Sequence, residues 1–216
     1  MGAIEEKRLA AEAAAGLVED GMAVGLGTGS TVELLLTALA ARGLSGIRCV
    51  ATSVATEAQA RELGIPVEEF GALERLDLAI DGTDQVTPDG WLIKGGGGAH
   101  LREKIVAAAA ERFVVIADSS KPVEELRAPV PLELFAFGLR STLARLGSSV
   151  SLRDVPRSPD DGVIADYGGD VGDPEALAAR LEADPGVAAH GLFAPELVSE
   201  VLIGRGGDVD RLALPL

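Results

Sequence analysis

Strands alternating with helices through residue 127 predict an α/β fold, and a change of pattern after Pro129 predicts a second, smaller domain. The first part reads as a doubly wound, mostly parallel, Rossmann-like sheet. Its apolar runs, such as "FVVIAD" and "LDLAID", suit parallel strands buried on both faces. The second part reads strand, helix, strand, strand, helix, strand, which is a ferredoxin-like α+β arrangement. The expected division is 1–127 plus 197–216 for the larger domain and 128–196 for the smaller.

The elements follow in order. Ala-rich 6–21 reads as a helix ended by Gly21, since alanine is the best helix former. A short strand at 22–27 leads to a helix over 30–43 ended by Gly43. Strand 47–53, helix 54–64 and strand 66–70 come next, then strand 76–81 running into "GTD". A short apolar piece, 91–94, precedes four glycines; a helix over 99–112 and a strand over 113–118 follow. Pro122 is placed as the first residue of a further helix. In the smaller domain the strands are 130–135, 149–155, 162–167 and 187–193, with helices at 138–147 and 173–186. A last strand, 199–205, is expected back in the main sheet.

Composition narrows the function. A net charge of −15 argues against nucleic-acid binding, because phosphate backbones need a basic surface. No apolar run approaches the roughly 20 residues of a membrane span. The first residues are acidic and Ala-rich, without a signal peptide's apolar core, so the compartment reads as cytoplasmic. With 3% aromatics, the core must be built from Ala, Val, Leu and Ile. Cys49, the one cysteine, lies in an apolar strand and reads as a buried, inert thiol. Only four lysines, Lys7, Lys94, Lys104 and Lys121, stand against fifteen arginines.

Ligands of open α/β sheets bind at the carboxyl ends of the strands. After the first strand, "GLGTGST" places Thr28, Gly29, Ser30 and Thr31 at a helix N-terminus, an anion site by geometry and dipole, or else a tight turn capped by Ser30. It has no Walker lysine, and Ser30 stands where a dinucleotide fingerprint needs its third glycine. After 76–80 come Asp81, Gly82, Thr83 and Asp84: two carboxylates facing one cavity for proton work, or an Asx turn. No His or third acid lies close by in sequence to complete a metal set. The run Lys94, Gly95, Gly96, Gly97, Gly98 can form a nest of N–H groups with a cation at its mouth. Glu103 lies about one turn into the next helix, where an acid also serves as a dipole partner. His100 reads as a surface residue of that turn, and His190 as structural. Lys121 and Lys7 sit near suspected loops as candidate phosphate contacts, or as solvated surface charges. Together these are the parts for proton abstraction beside a carbonyl in a small anionic ligand.

"VGLGTGSTV", "IDGTDQV", "IKGGGGAHLREKIVA" and "FVVIADSSK", in order, together with "PGVAAHGLF", resemble the signature blocks of the A-type ribose-5-phosphate isomerases. The resemblance implies interconversion of D-ribose 5-phosphate and D-ribulose 5-phosphate through an enediolate, in the non-oxidative pentose phosphate pathway, with no metal or organic cofactor. It implies Glu103 as the base between C2 and C1 and Asp81 as the acid/base for ring opening and hydroxyl protons. Lys94 becomes the oxyanion stabiliser. It further implies substrate contacts from Thr28 to Thr31, Gly82, Thr83, Asp84 and Gly95 to Gly97, phosphate charge from Lys121 and Lys7, and a homodimer. The family's "DGADE" reads "DGTDQ" here, and the stretch around 163–175 is shorter than usual. A sugar-phosphate sensor of the same fold would need the phosphate cradle but not Asp81, Lys94 and Glu103 together. A nicotinamide oxidoreductase and a coenzyme A transferase fit the motifs less well.

Overall fold

The computed structural model describes residues 2–214; the expected domain ends at 1 and at 215–216 lie outside the described residues. The chain forms two compact units. The first comprises the described residues of Met1–Thr83, Arg102–Lys121 and Glu196–Leu216, and the second comprises Asp84–Leu101 and Pro122–Pro195. Residues 84–101, which the sequence pattern groups with the larger domain, thus fall in the second unit.

The first unit is built from α1 (Ala3–Ala15), β1 (Ala23–Leu26), α2 (Ser30–Ala41), β2 (Arg48–Ala51), α3 (Val54–Glu62) and β3 (Leu76–Gly82). After the excursion into the second unit, α4 (His100–Ala108), β6 (Ala110–Asp118), β12 (Glu200–Arg205) and β13 (Asp208–Ala213) complete it. The sheet order is β13-β12-β6-β3-β1-β2, parallel except for the β12–β13 hairpin at one edge. The expected last strand, 199–205, therefore returns to the main sheet, as Glu200–Arg205. The hairpin strand β13 was not anticipated: Gly206 (φ +59°) and Gly207 (φ +104°) supply the two left-handed residues of its turn.

The sheet is covered on both faces, and the alternation of its strands shows how. Val24, Leu26, Leu78, Ile80, Val114 and Ile116 pack with Ala10, Ala11, Ala14 and Ala15 of α1 and Leu35, Leu36 and Leu39 of α2. Alanines let α1 lie close; a Cβ on Gly204 of β12 would fall 1.9 Å from the Glu6 carbonyl oxygen. Gly25, between Val24 and Leu26, points to the opposite face. A Cβ there would meet Val106 of α4 at 2.3 Å and Ala79 at 3.2 Å. Helix α4 therefore lies on the far face, seated directly on β1.

Several boundaries differ from expectation. α1 ends at Ala15 rather than at Gly21, with Gly16 following it. α4 stops at Ala108, because Ala110 already pairs with Leu76 and sheet pairing overrides the helix preference of the alanines. Only Val67 of the expected strand 66–70 pairs, in a bridge to Cys49, and a 3-10 turn follows at Phe70–Ala72. No helix opens at Pro122; that segment pairs with Val86 instead.

The second unit contains β4 (Gln85–Val86), β5 (Leu92–Ile93), β7 (Val130–Leu134), α5 (Leu139–Leu146), β8 (Val150–Leu152), β9 (Val163–Tyr167), α6 (Pro174–Glu182), β10 (Val187–His190) and β11 (Leu192–Phe193). The antiparallel sheet β10-β7-β9-β8 with α5 and α6 is the expected ferredoxin-like arrangement. The expected strand 187–193 breaks at Gly191, and β11 joins a separate small sheet, β11-β5-β4. A Cβ on Gly191 would lie 2.2 Å from the Lys94 carbonyl oxygen, so the break and the close approach have one cause. Among the described residues no helix is long and apolar enough to cross a membrane.

Candidate active site

In the first unit the candidate residues gather at the carboxyl ends of the parallel strands. Asp81, buried near the end of β3, shares the face of Ala79, the face α4 covers. Its Oδ1 accepts the N–H groups of Thr28 (3.0 Å) and Gly82 (2.7 Å), which fix the carboxylate plane. Gly27 makes room for it: a Cβ there would stand 1.9 Å from both Cγ and Oδ1 of Asp81. Gly27 is held in turn by the Thr56 hydroxyl, which donates to its carbonyl at 2.8 Å.

Glu103 is buried in the first turn of α4. It precedes Val106 by three residues and so shares the helix face that rests on β1. The C-terminal end of α4 meets the start of β3, where the Leu76 N–H donates to the Ala109 carbonyl at 2.9 Å. The helix thus runs antiparallel to the strands, and Glu103 lies about 4.5 Å of helix axis beyond Val106, toward the strands' carboxyl ends. Asp81 and Glu103 occupy the same face and the same end of the sheet.

The candidate anion-binding residues flank the other face. Gly29 (φ +116°) stands at the N-cap of α2, and no side chain caps the helix. Ser30 is the first helical residue, not the cap that one reading of the sequence made it. Its hydroxyl accepts a hydrogen bond from Lys7 Nζ at 2.9 Å. Lys7 Nζ also lies 4.0 Å from Asp118 Oδ2. Burial pushes the Asp118 carboxyl up. Hydrogen bonds from the Ser120 hydroxyl and N–H, with the charges of Lys121 and Lys7, outweigh it and hold the group below the usual aspartate range. Two ammonium groups and an uncapped helix N-terminus suit a phosphate dianion.

Sequence reasoning missed Glu6. Its buried carboxylate accepts the Ser119 hydroxyl (2.6 Å), the Ser119 N–H (3.1 Å) and the Gly206 N–H (3.3 Å). The Ser119 hydroxyl, then the two N–H groups, hold it below the ordinary glutamate range against burial and the Asp118 charge. Glu6 so ties the loop carrying Lys121 to the helix carrying Lys7. The signal was available: Glu6 is four residues before Ala10 and eight before Ala14, on the buried face of α1.

In the second unit, Lys94 is buried beside the small sheet. Its N–H donates to the Gly191 carbonyl at 2.9 Å, and its Nζ lies 5.4 Å from the centroid of the Phe193 ring. Gly95 takes φ +100° and leaves no room for a Cβ, which would meet His100 Nδ1 at 2.6 Å. Gly98 (φ +74°) closes the turn, its N–H donating to the Gly95 carbonyl at 3.0 Å. His100 is fully buried, contrary to the surface reading, because it packs where the glycine loop has no side chains. His190 is also buried, between Glu182 Oε1 (3.0 Å from Nε2) and the Leu192 N–H, which donates to Nδ1 at 3.2 Å. Asp84 is exposed, and its Oδ2 accepts the Gly96 N–H at 2.9 Å. Gly97 is exposed as well. Gln85 bonds the Arg127 backbone in both directions, Nε2 to the carbonyl at 2.7 Å and N–H to Oε1 at 2.8 Å. An amide can do this and a carboxylate cannot, which gives the "DGTDQ" variation a physical role.

Among the described residues no group of three His, Cys, Asp or Glu side chains is arranged to hold a metal ion. Cys49 is buried, and burial together with the Glu68 charge pushes its thiol up to about 12, so it is inert at neutral pH.

Replacing Gly27 by Ala should misplace Asp81 by the better part of an ångström or more. Misplacement on that scale costs about 10²-fold in turnover, and overpacking costs about 1–3 kcal/mol of stability. Steady-state kinetics and a thermal melt of Gly27→Ala check both. Wild-type kcat would count against Asp81 as a candidate catalytic residue.

Residues 48–208 match the family model described as ribose 5-phosphate isomerase A (phosphoriboisomerase A). Ribose-5-phosphate isomerase A of Caulobacter vibrioides is 46% identical, over 98% of this chain and 99% of that relative. The crystal structure of ribose 5 phosphate isomerase A from Neisseria gonorrhoeae superposes with a TM-score of 0.93 at 32% identity, covering 100% of this chain and 99% of that one. A structure of D-ribose-5-phosphate isomerase in complex with phospho-erythronic acid gives 0.92 at 32% identity, over 99% of this chain and 100% of that one. The likeness spans residues of both units, and the chain belongs to the ribose 5-phosphate isomerase A family.

Proposed function

We propose that this chain interconverts D-ribose 5-phosphate and D-ribulose 5-phosphate, with Glu103, Asp81 and Lys94 as its reacting groups. The observation that carries the reading is the placement of two buried carboxylates, Asp81 and Glu103, on one face at the carboxyl ends of the strands. The uncapped α2 N-terminus with Lys7 and Lys121 lies toward the other face. A phosphate bound there by Thr28 to Thr31 leaves the sugar to extend toward the carboxylates.

Asp81 assists ring opening by moving a proton between the ring oxygen and the C1 hydroxyl. Glu103 then takes the C2 proton of the open aldose. The electron pair left on C2 forms the enediolate, and Lys94 stabilises its developing oxyanion. Glu103 returns the proton to C1, Asp81 adjusts the hydroxyl protons, and the ketose results. One carboxylate moving one proton between adjacent carbons needs no redox partner. Gly82, Thr83, Asp84 and Gly95 to Gly97 line the sugar in this reading.

The same reading takes the protein to act in the cytoplasm as a homodimer, without a nucleic-acid partner. Its support is the charge of −15 and an apolar surface at Phe135 and Phe137, the latter 96% exposed. Sedimentation at micromolar concentration tests the dimer. The function is tested by incubating EDTA-treated protein with ribose 5-phosphate alone. Ketose should accumulate to equilibrium at a rate proportional to protein. Binding of the sugar phosphate without conversion would make the chain a sensor instead.

A further inference from the structure

Four successive glycines carry no side chains with which to hold their own loop, so something outside must hold it. In the structure a guanidinium and a carboxylate do so. Arg153, directly after β8, forms a forked pair with Asp166 of β9: Nε donates to Oδ2 at 2.7 Å and Nη2 to Oδ1 at 2.6 Å. Its Nη1 donates to the carbonyls of both Gly95 (3.1 Å) and Gly96 (2.9 Å). Opposite, Asp84 Oδ2 receives the Gly96 N–H.

We infer that Arg153, oriented by Asp166, is a positioning residue that sets the direction of the glycine-loop peptides beside Lys94. A trans peptide points its N–H opposite to its C=O. With the Gly95 and Gly96 carbonyls turned to Arg153, the N–H groups of Gly96 and Gly97 are turned away from it. The Gly96 N–H accordingly meets Asp84, and the Gly97 N–H is directed the same way relative to its own carbonyl partner. The loop becomes polarised, carbonyls toward Arg153 and donors away, with the Gly96 N–H on the Asp84 carboxylate and the Gly97 N–H turned away from Arg153 as well. Arg153 is suited to this because its planar fork can serve a carboxylate on one edge and two carbonyls from the remaining nitrogen. A lysine cannot hold both.

This inference rests on the isomerase reading of the loop, and two measurements separate them. Arg153→Lys and Asp166→Asn are compared with wild type by steady-state kinetics, thermal melting, and amide hydrogen exchange of the peptide spanning 94–98. Arg153→Lys should lower kcat roughly 10–100-fold, the scale of a misplaced catalytic group, with KM within about threefold and the melting temperature little changed. Amides 95–98 should exchange faster. Asp166→Asn, which keeps the shape but weakens the fork, should move both readouts in the same direction and less, and it decides the matter if the lysine variant does not fold. Faster loop exchange with wild-type kcat, or unchanged loop exchange in the folded variant, overturns the positioning role. Wild-type protein without isomerase activity would instead defeat the reading of the site, while the exchange data would still decide whether Arg153 orders the loop.

Discussion

Glu103→Gln should fold like the wild type, still bind ribose 5-phosphate, and lose turnover by at least about 10²–10⁴-fold. Glutamine keeps the shape and the helix preference of the residue but cannot carry the proton. The burial of Glu103 on the α4 face that rests on β1 separates this outcome from the bland one. A solvated first-turn acid that only complements the helix dipole would cost a few tenths of a kcal/mol, about 0.3–1 at most, and would leave kcat alone. Kinetics and a binding titration on the same sample distinguish the two.

Lys94→Met should lose most of its turnover. Lys94 is buried beside the Phe193 ring, and a buried cation is costly to desolvate. Methionine fills a similar volume without the charge, so the variant reports on the charge rather than on packing. Losing a preorganised stabiliser of the oxyanion should lower kcat by about 10²–10³-fold. A variant that instead melts early and retains its kcat would make Lys94 a structural residue of the β5 and β11 sheet.

The parallel sheet was readable because its strands are short apolar runs bounded by glycines, and the ferredoxin-like part because its element order is distinctive. Asp81, Lys94 and Glu103 stood out because each follows a strand or a glycine run, where side chains do not crowd a site. Other features depend on contacts that no local pattern records. The burial of His100 follows from Gly95 lacking a Cβ, and the role of Gly27 from the position of Asp81, fifty-four residues away. Arg153 looks like any other of fifteen arginines until β8 and β9 pair and bring it to the glycine carbonyls. The end of α4 was misjudged because alanines favour helix, while the pairing of Ala110 with Leu76 decided in favour of strand. The affiliation of 84–101 with the second unit was hidden for a similar reason. Its two strands are two residues long and pair with each other, and β11 completes their sheet from about a hundred residues further along the chain.

The central claim is that a carboxylate moves the C2 proton to C1 through an enediolate. It is tested most directly by following ribose 5-phosphate deuterated at C2 through partial conversion in ordinary water, with the label located by NMR. A carboxylate-held deuteron trades with solvent during the lifetime of the intermediate, so the account predicts a slowed reaction and loss of label to water, with part of the remainder at C1 of the ketose. Quantitative transfer of deuterium from C2 to C1, with none lost to solvent even as turnover is prolonged, is the signature of a hydride shift and would contradict it.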